Sequence, residues 1–439
     1  MKKWIFILVL SVICVLNAAG QQVIPDIIEV CTANGFQGFP QTCYNWDEDE
    51  FLVVWEDERN EPSTGTDIWG QIVRSDGTLR GSNFGICRMP GDQYWPRCDY
   101  DPINHRYLVV FEDYRNGGQT WNWLGNWDIY GAQLNTDGRK IVVAGSEADS
   151  CFGISKNAAA AHYPSVAFNW RFGVYQVVWA DYRNTTIDIY GQRVAGNGAL
   201  LAKSGTPVLD GNFPIANHSD ADEDTPDISY SHINNEFLVT FTMQFPQQYV
   251  MIMAQRLNRY GQLLKIDGTY GKEYIAVCLN TGATNTDPSQ PRVQYNSEYT
   301  PSIGKTTNAW NFCEALVAWT SELYGNDVCG QRIAFYPDAE AVARGLKATA
   351  TNDTLFFASL VNLAGDPGKN PAANFPISNA AMCQVLPEVA FSGQDNEFGT
   401  VWGDNRNLPD KKPGCFLAAA VYRQKQHLKT FWYKQNPIR

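Results

Sequence analysis

The chain has 439 residues, a formal net charge of -12, 13% aromatic residues, 36 glycines and 22 prolines. An acidic chain is repelled by nucleic acid and by anionic membrane surfaces, so we expect neither as a partner. Plentiful aromatic residues, glycine and proline favour short strands and tight turns over long helices.

The first twenty residues have the pattern of a secretory signal peptide. Lys2 and Lys3 give a basic start, residues 4–15 are almost wholly apolar, and residues 17–20 are small or polar, as a cleavage site requires. The apolar run is too short for a bilayer-spanning helix of about 20 residues, so a membrane anchor is the weaker alternative. We predict a signal peptide at residues 1–20 and a secreted, extracellular chain without membrane insertion.

A proline followed four residues later by an aromatic residue recurs six times and marks the start of a repeat. Because proline is tolerated at the first residue of a strand, we predict that a strand, strand A, begins at each proline. The six pairs are Pro40 and Tyr44, Pro96 and Tyr100, Pro164 and Phe168, Pro226 and Tyr230, Pro291 and Tyr295, and Pro387 and Phe391.

Two further strands are predicted in every repeat. Strand B is β-branched and aromatic, as in FLVVWEDERN from Phe51, and its fifth position is always aromatic. Strand C, as in DIYGAQL from Asp128, has a small residue at its fourth position, which we expect to receive an aromatic ring from the adjacent sheet. Turns such as Asp76-Gly77 then lead into a fourth strand, strand D.

Four antiparallel strands repeated six times predict an all-β fold, a six-bladed β-propeller that forms a single domain over residues 21–439. The segment IIEVCTANG from Ile27 resembles the ends of strand D in later repeats. We expect it to pair with the last blade and close the ring, leaving no open edge. The alternative is an open or two-part array of the same sheets.

The succession VVWxDxRN, DIYGQRV and DG resembles the repeats of secreted and cell-surface β-propeller proteins, many of them bacterial. The resemblance covers nearly all of the chain beyond the signal peptide and is clearest in the first three repeats. It implies a propeller fold and an extracellular setting. It implies no particular reaction, because a fold does not determine a function.

The Asp-x-Arg-Asn motif at the end of strand B recurs and therefore indicates scaffold rather than a site. A ring of these pairs binding an anionic or sugar ligand is the functional alternative. We favour an Asp that caps the turn and an Arg that braces a neighbouring strand. The four pairs are Asp57 and Arg59, Asp113 and Arg115, Asp181 and Arg183, and Asp404 and Arg406.

A tryptophan-rich loop of the second repeat, NGGQTWNWLGNWD from Asn116, breaks the repeat symmetry. Large aromatic residues in a polar, glycine-rich loop cost solubility unless they stack on a ligand or pack on each other. Trp121, Trp123 and Trp127 are therefore the predicted ligand-binding residues, and Tyr94 and Trp95 should lie near them. The alternative is that the tryptophans fold back and pack together.

Recognisable catalytic and metal-binding motifs are missing from the sequence. The five histidines are scattered without ligand spacing, and no HExxH, GxSxG or P-loop occurs. The acidic run HSDADEDTPD from His218 could hold calcium, although a solvated acidic loop is the preferred interpretation because the EF-hand spacing is absent. Calcium is thus the one cofactor considered. A carboxylate pair for glycoside hydrolysis remains open, because such residues converge only in space.

Ten cysteines remain after the signal peptide, an even number that suggests disulfides in a secreted chain. Cys31 with Cys43, and Cys87 with Cys98, each flank one crossing from strand D to strand A. Pairing within each crossing is the expectation, with the reservation that strands A and D lie at opposite edges of a blade. The sequence does not indicate partners for the other six.

These observations predict a secreted, non-catalytic binding or adhesion propeller whose ligand is an extracellular glycan or protein. The alternatives are a carbohydrate-active enzyme resembling glycoside hydrolases and a structural component of an extracellular matrix or surface layer.

Overall fold

The structure is a computed structural model. It describes residues 28–117, 124–143, 145–205, 208, 211–246, 250–278, 289–295, 313–321, 327–337, 356–361, 375–378, 384–392, 397–404, 417–423 and 428–431. The predicted signal peptide lies outside these residues. No helix among the described residues combines the length and the apolar character that crossing a membrane requires.

The described strands form six antiparallel sheets, each with the strands in chain order. The first three sheets comprise β1 (Gln37–Asn45), β2 (Glu50–Asp57), β3 (Asp67–Arg74) and β4 (Leu79–Cys87); β5 (Gln93–Asp101), β6 (Arg106–Asp113), β7 (Asp128–Asn135), β8 (Lys140–Ile141) and β9 (Cys151–Ser155); and β10 (Ala161–Asn169), β11 (Val174–Asp181), β12 (Asp188–Ala195), β13 (Leu200–Leu201) and β14 (Phe213–Ala216). A short helix α1 (Glu61–Thr64) joins β2 to β3, and a 3-10 turn (Ala148–Ser150) precedes β9.

The last three sheets repeat this plan. They comprise β15 (Asp222–Ser231), β16 (Glu236–Gln244), β17 (Val250–Asn258), β18 (Leu263–Leu264) and β19 (Ile275–Cys278); β20 (Ser289–Tyr295), β21 (Cys313–Ser321), β22 (Asp327–Pro337), β23 (Phe356–Val361) and β24 (Phe375–Ser378); and β25 (Gln384–Ser392), β26 (Glu397–Asp404), β27 (Leu417–Arg423) and β28 (Leu428–Phe431). In sheets two to five, two separate strands pair with the third strand and share the fourth place.

The predicted fold class, an all-β propeller fold built from four-stranded antiparallel blades, is confirmed by this topology. The chain divides into two compact units, one ending at Pro226 and the other beginning at Asp227. In the first unit β1 packs against β5 and β5 against β10; in the second, β20 packs against β16 and β25. Neighbouring blades of each unit therefore meet mainly through their first strands. The single domain predicted for residues 21–439 stays a prediction.

The prediction that the strand A prolines begin their strands is wrong, because each lies two to four residues inside its strand. In five of the six strands the proline lies at a β-bulge. The register between β5 and β6 shifts between Tyr94 and Arg97, and that between β10 and β11 shifts between His162 and Ser165. A bulge leaves one residue out of the ladder, so a proline there removes no pairing donor. Each strand consequently begins before its proline.

The small residue of strand C lies against its own blade, which corrects the predicted neighbour. A Cβ atom on Gly131 would meet Phe152 Cζ at 2.9 Å and Ile154 Cδ1 at 3.0 Å, and both residues belong to β9 of the same sheet. A Cβ on Gly70 would likewise meet Ile86 Cδ1 at 2.9 Å. The short residue thus lets strand D fold its apolar side chains over strand C.

The Asp-x-Arg-Asn motif forms the predicted scaffold in the first three sheets. Arg115 donates from Nε to Asp113 Oδ1 at 2.8 Å and from Nη2 to Asp113 Oδ2 at 2.6 Å, and its guanidinium stacks 4.0 Å above the ring of Tyr130. Asn116 donates to Asp128 at the start of β7. The same contacts recur at Asp57 and Arg59 and at Asp181 and Arg183. Arg406 of the fourth predicted pair lies outside the described residues.

The N-terminal segment occupies the place of a preceding blade's last strand. Arg59 donates to Cys31 Sγ at 3.0 Å, and Asn83 donates to the Val30 carbonyl at 2.9 Å. In the third sheet Arg183 reaches Ser155 and Asn212 donates to the Ile154 carbonyl, so the end of β9 has the equivalent neighbours there. This supports the D-type character of the segment. Closure of the ring by it stays a prediction.

Candidate functional site

An arc of three aromatic side chains lies at the N-terminal ends of the first strands β1, β5 and β10. Phe39, Trp95 and Tyr163 each directly precede a strand A proline. The ring centroids of Phe39 and Trp95 lie 4.4 Å apart, and those of Trp95 and Tyr163 lie 5.2 Å apart in an edge-on arrangement. Phe39 is 38% exposed and the other two are partly exposed. We call these three residues the aromatic arc.

The backbone of the aromatic arc is held in the left-handed region. The φ angles are 47° at Phe39, 52° at Trp95 and 53° at Tyr163. Residues other than glycine adopt this conformation at a cost of about 1–3 kcal/mol each, so surrounding contacts must hold it. Two of those contacts are made by glutamates near the C-terminal end of strand B.

Glu56 of β2 and Glu112 of β6 each accept a hydrogen bond from the arc. The Trp95 N–H donates to Glu56 Oε1 at 2.8 Å, and the Tyr163 N–H donates to Glu112 Oε1 at 2.6 Å. Glu56 is 2% exposed and Glu112 is fully buried. Each glutamate thus bonds from strand B of one blade to the first strand of the next. Both glutamates therefore lie beside the aromatic arc.

The carboxyl group of Glu56 holds its proton in neutral solution. Burial raises its pKa from 4.5 to about 8, opposed by the Trp95 N–H, and the charged neighbours Glu112, Glu58 and Asp92 raise it further. Among the described residues the Trp95 N–H provides the single hydrogen bond to the Glu56 side chain. A neutral carboxyl group with an O–H to donate therefore lies near the C-terminal end of β2.

Glu112 has a different environment from Glu56. His162 Nδ1 lies 2.9 Å from Glu112 Oε2, and the His162 ring is fully buried. The Glu112 side chain thus has two hydrogen-bond partners from β10, the His162 ring and the Tyr163 N–H. Two carboxyl groups in contrasting surroundings are the usual basis of separate acid and base roles.

Asp224 of β15 brings a third carboxyl group to this cluster. Burial raises its pKa to about 6; the Thr225 N–H and His162 lower it, and Glu112 raises it. Thr225 also has a positive φ, 47°, and its N–H donates to Asp224 Oδ1 at 2.7 Å. Glu112 therefore interacts electrostatically with both Glu56 and Asp224.

The structure brings some of the predicted binding residues together. Trp127 stacks on Tyr94 at 5.5 Å, as their expected proximity required, and lies 5.7 Å from the His162 ring. Trp127 itself is fully buried with Tyr114 and Tyr182 around it, which is the packing given above as the alternative to ligand stacking. Trp95 belongs to the aromatic arc. Tyr94 and Trp95 lie in β5.

Trp121 and Trp123 lie outside the described residues, so their role as ligand-binding residues stays a prediction. No group of three or more metal-ligating side chains was found among the described residues.

The acidic run from His218 is only in its first half the solvated loop that the sequence predicts. Its second half forms the N-terminal end of β15, where Glu223 is buried and accepts a hydrogen bond from the His218 N–H. Asp222 accepts from the Ile187 N–H and Asp224 from the Thr225 N–H. These carboxylates accept hydrogen bonds from backbone N–H groups, because a bulged strand leaves some N–H groups without a partner in the ladder. Calcium binding there stays the weaker alternative of the sequence analysis.

Sequence reasoning overlooked Glu56, Glu112 and His162 as site residues. Glu56 and Glu112 occupy the sixth position of strand B, next to the prominent Asp-x-Arg-Asn motif. Comparing that position across the repeats reveals the asymmetry, because only the first two copies have glutamate there. The six residues are Glu56, Glu112, Ala180, Thr242, Thr320 and Gly403.

Comparison with known proteins finds similarity in solved structures alone. No protein-family model matches the chain, and no curated protein does. An α-L-arabinanase from Penicillium chrysogenum, solved with arabinobiose, is 11% identical, with 89% of this chain and 94% of that chain covered and a TM-score of 0.46. A leech intramolecular trans-sialidase is 7% identical, with 88% and 68% covered and a TM-score of 0.47.

A protein of unknown function from Dyadobacter fermentans is 9% identical, with 88% of this chain and 93% of that chain covered and a TM-score of 0.47. Several of these structures are thus of carbohydrate-active enzymes. At such identities and TM-scores they carry no argument about the chemistry of this chain, which has to come from its own residues.

Proposed function

We propose that the protein is a carbohydrate-active enzyme that hydrolyses glycosidic bonds at the aromatic arc, with Glu56 as proton donor and Glu112 as its carboxylate partner. The observation that carries the proposal is the position of two glutamates in contrasting surroundings beside three clustered aromatic side chains. Aromatic faces bind sugar rings by apolar contact, and glycoside hydrolysis needs a carboxylic acid together with a carboxylate.

Glu56 fits the role of general acid. Its carboxyl group is neutral below about pH 8 because it is buried and its strongest charged neighbours are acids. The Trp95 N–H occupies Oε1 and fixes the orientation of the group. In the proposed reaction the Glu56 proton passes to the glycosidic oxygen as the bond from that oxygen to the anomeric carbon breaks.

Glu112 fits the role of the second carboxylate. Hydrogen bonds from His162 and from the Tyr163 N–H hold it in place. It would stabilise the positive charge that develops at the anomeric carbon and accept a proton from the water that adds there. His162 then acts as a positioning residue, and its burial between Trp127 and Tyr182 keeps its ring in one orientation.

The charge around the aromatic arc favours a neutral or cationic glycan over an anionic one. The charged groups acting on Glu56 are the acids Glu112, Glu58 and Asp92, and Asp224 adds a further carboxyl group to the cluster. A negative local field repels a sugar that carries a carboxylate. Sialylated and uronic-acid polymers are therefore expected to be poor substrates.

The test is release of reducing ends from neutral, amino-sugar and anionic polysaccharides by the purified chain. Glu56→Gln keeps the acceptor for the Trp95 N–H but removes the acidic proton, so hydrolysis should fall by about 10²–10⁴-fold while glycan binding persists. Glu58→Gln, which removes a nearby and partly exposed charge, is the matched control and should retain activity. For the wild type, kcat/KM should decrease as pH rises through about 8.

A second function, glycan binding without catalysis, is favoured by one observation. Glu56 and Glu112 are 2% and 0% exposed, so a bound sugar would contact the aromatic arc before it reached either carboxyl group. Binding that Trp95→Ala abolishes, with no reducing ends released from any polysaccharide, would overturn the enzymatic proposal and support this second function.

A further inference from the structure

Four buried or half-buried cysteines of the first unit lie in two pairs that cross between neighbouring sheets. Cys43 lies in β1 and Cys98 in β5, whereas Cys87 ends β4 and Cys151 begins β9. The Cys98 thiol raises the pKa of Cys43 and the Cys151 thiol raises that of Cys87, so the two members of each pair are neighbours. Each pair thus joins a strand of the first sheet to a strand of the second.

Backbone contacts support this placement independently. Cys98 Sγ lies 4.0 Å from the Leu52 carbonyl oxygen of β2, so it reaches into the first sheet. Cys151 Sγ lies 3.9 Å from the Ile86 carbonyl oxygen at the end of β4. All four cysteines lie in or against one apolar cluster between the two sheets. Side chains in a close-packed core have little freedom, which favours one partner for each sulfur.

The neighbours differ from those expected from the sequence. Cys31, the expected partner of Cys43, accepts a hydrogen bond from Arg59 Nη2 at 3.0 Å and lies 4.0 Å from Asp57 Oδ2. Cys98 approaches Cys43 rather than Cys87. The physical reason is the order of strands within a blade: strand A and strand D of one crossing lie at opposite edges, whereas equivalent strands of adjacent blades face each other.

We propose that Cys43–Cys98 and Cys87–Cys151 are two disulfides that join the first blade to the second. Each bond forms as two thiols lose two protons and two electrons, which reduce the disulfide of an exchange partner to a dithiol. The predicted signal peptide would direct the chain to a compartment where such exchange occurs.

Peptide mapping of the secreted, full-length protein tests the proposal. Free thiols are alkylated first, the chain is digested without reductant, and the linked peptides are identified by mass spectrometry. We expect a peptide pair containing Cys43 and Cys98, a second pair containing Cys87 and Cys151, and alkylated Cys31. Alkylation of the four paired cysteines, or a link from Cys31 to Cys43, would overturn it.

A stability measurement provides a second readout. Cys98→Ser should lower Tm by roughly 10 °C in the absence of reductant, because each bond closes a loop of more than 50 residues in the unfolded chain. Adding Cys43→Ser should cause little further loss, and a reductant should remove the difference from wild type. Cys31→Ser is the matched control, whose effect should not depend on reductant. If the serine variants do not fold, the peptide map of the wild type decides alone.

Discussion

Replacing Glu56 by glutamine should change how the stability of the first unit depends on pH. The pKa of Glu56 is raised from 4.5 to about 8 in the folded protein, so the folded state holds this proton more tightly than the unfolded chain. Between these two values the unfolded state has lost a proton that the folded state retains. The free energy of unfolding therefore decreases as pH rises through this window, and the stability present below pH 4.5 is lost by about pH 8.

The magnitude follows from the size of the shift. A difference of about 3.5 pH units corresponds to about 5 kcal/mol at pH 9, an upper limit since neighbouring groups relax. Glu56→Gln carries no ionisable group yet still accepts from the Trp95 N–H. The variant should match the wild type near pH 4 and exceed its stability near pH 9.

Urea unfolding at a series of pH values, followed by tryptophan fluorescence, measures this difference. Glu58→Gln is the control, because it makes the same substitution two residues along the chain at a partly exposed position. It should leave the pH dependence of the wild type nearly unchanged. If Glu56→Gln and wild type lose stability in parallel from pH 4 to pH 9, the raised pKa of Glu56 and its role as general acid are both refuted.

Three further substitutions test the scaffold around the site. Arg115→Ala leaves Asp113 buried without its cation and should lower the free energy of unfolding by about 3–5 kcal/mol in urea titrations. Gly131→Ala places a methyl group 2.9 Å from Phe152 and should cost about 1–3 kcal/mol in the same assay, whereas an unchanged stability would contradict the close approach of β9. Trp127→Ala should cost about 3–5 kcal/mol if the ring packs in the core, and an effect on ligand binding alone would instead favour a stacking role.

The strands of this protein can be predicted from the sequence because each repeat carries the same local signals. Aromatic and β-branched runs, a proline before an aromatic residue and Asp-Gly turns predict the strand order that the six sheets have. Gly77 and Gly138 have positive φ angles of 83° and 78°, as the predicted hairpin turns require. Local propensity and repetition therefore suffice for the fold class.

The candidate site is less legible because its residues come from different repeats. Glu56 belongs to the first sheet, but its burial and its hydrogen bond depend on Trp95 of the second. His162 looks isolated in the sequence and becomes part of a cluster only because β10 packs beside β5. The cysteines show the same limit, since Cys43 and Cys98 are brought together across sheets. Spacing along one chain segment carries no information about contacts of this kind.

The residue before each strand A proline has a conformation that belongs to the fold, whereas its hydrogen-bond partner varies between blades. Its left-handed backbone recurs at Thr225 and Gln290, so the strained bulge is a property of the repeat. What differs is the acceptor for its N–H group: a glutamate of the preceding blade at Trp95 and Tyr163, but the adjacent Asp224 at Thr225. Because a local side chain can replace it, the glutamate is not required by the scaffold. Its presence in two consecutive blades, where the arc residues are aromatic, is consistent with the proposed site.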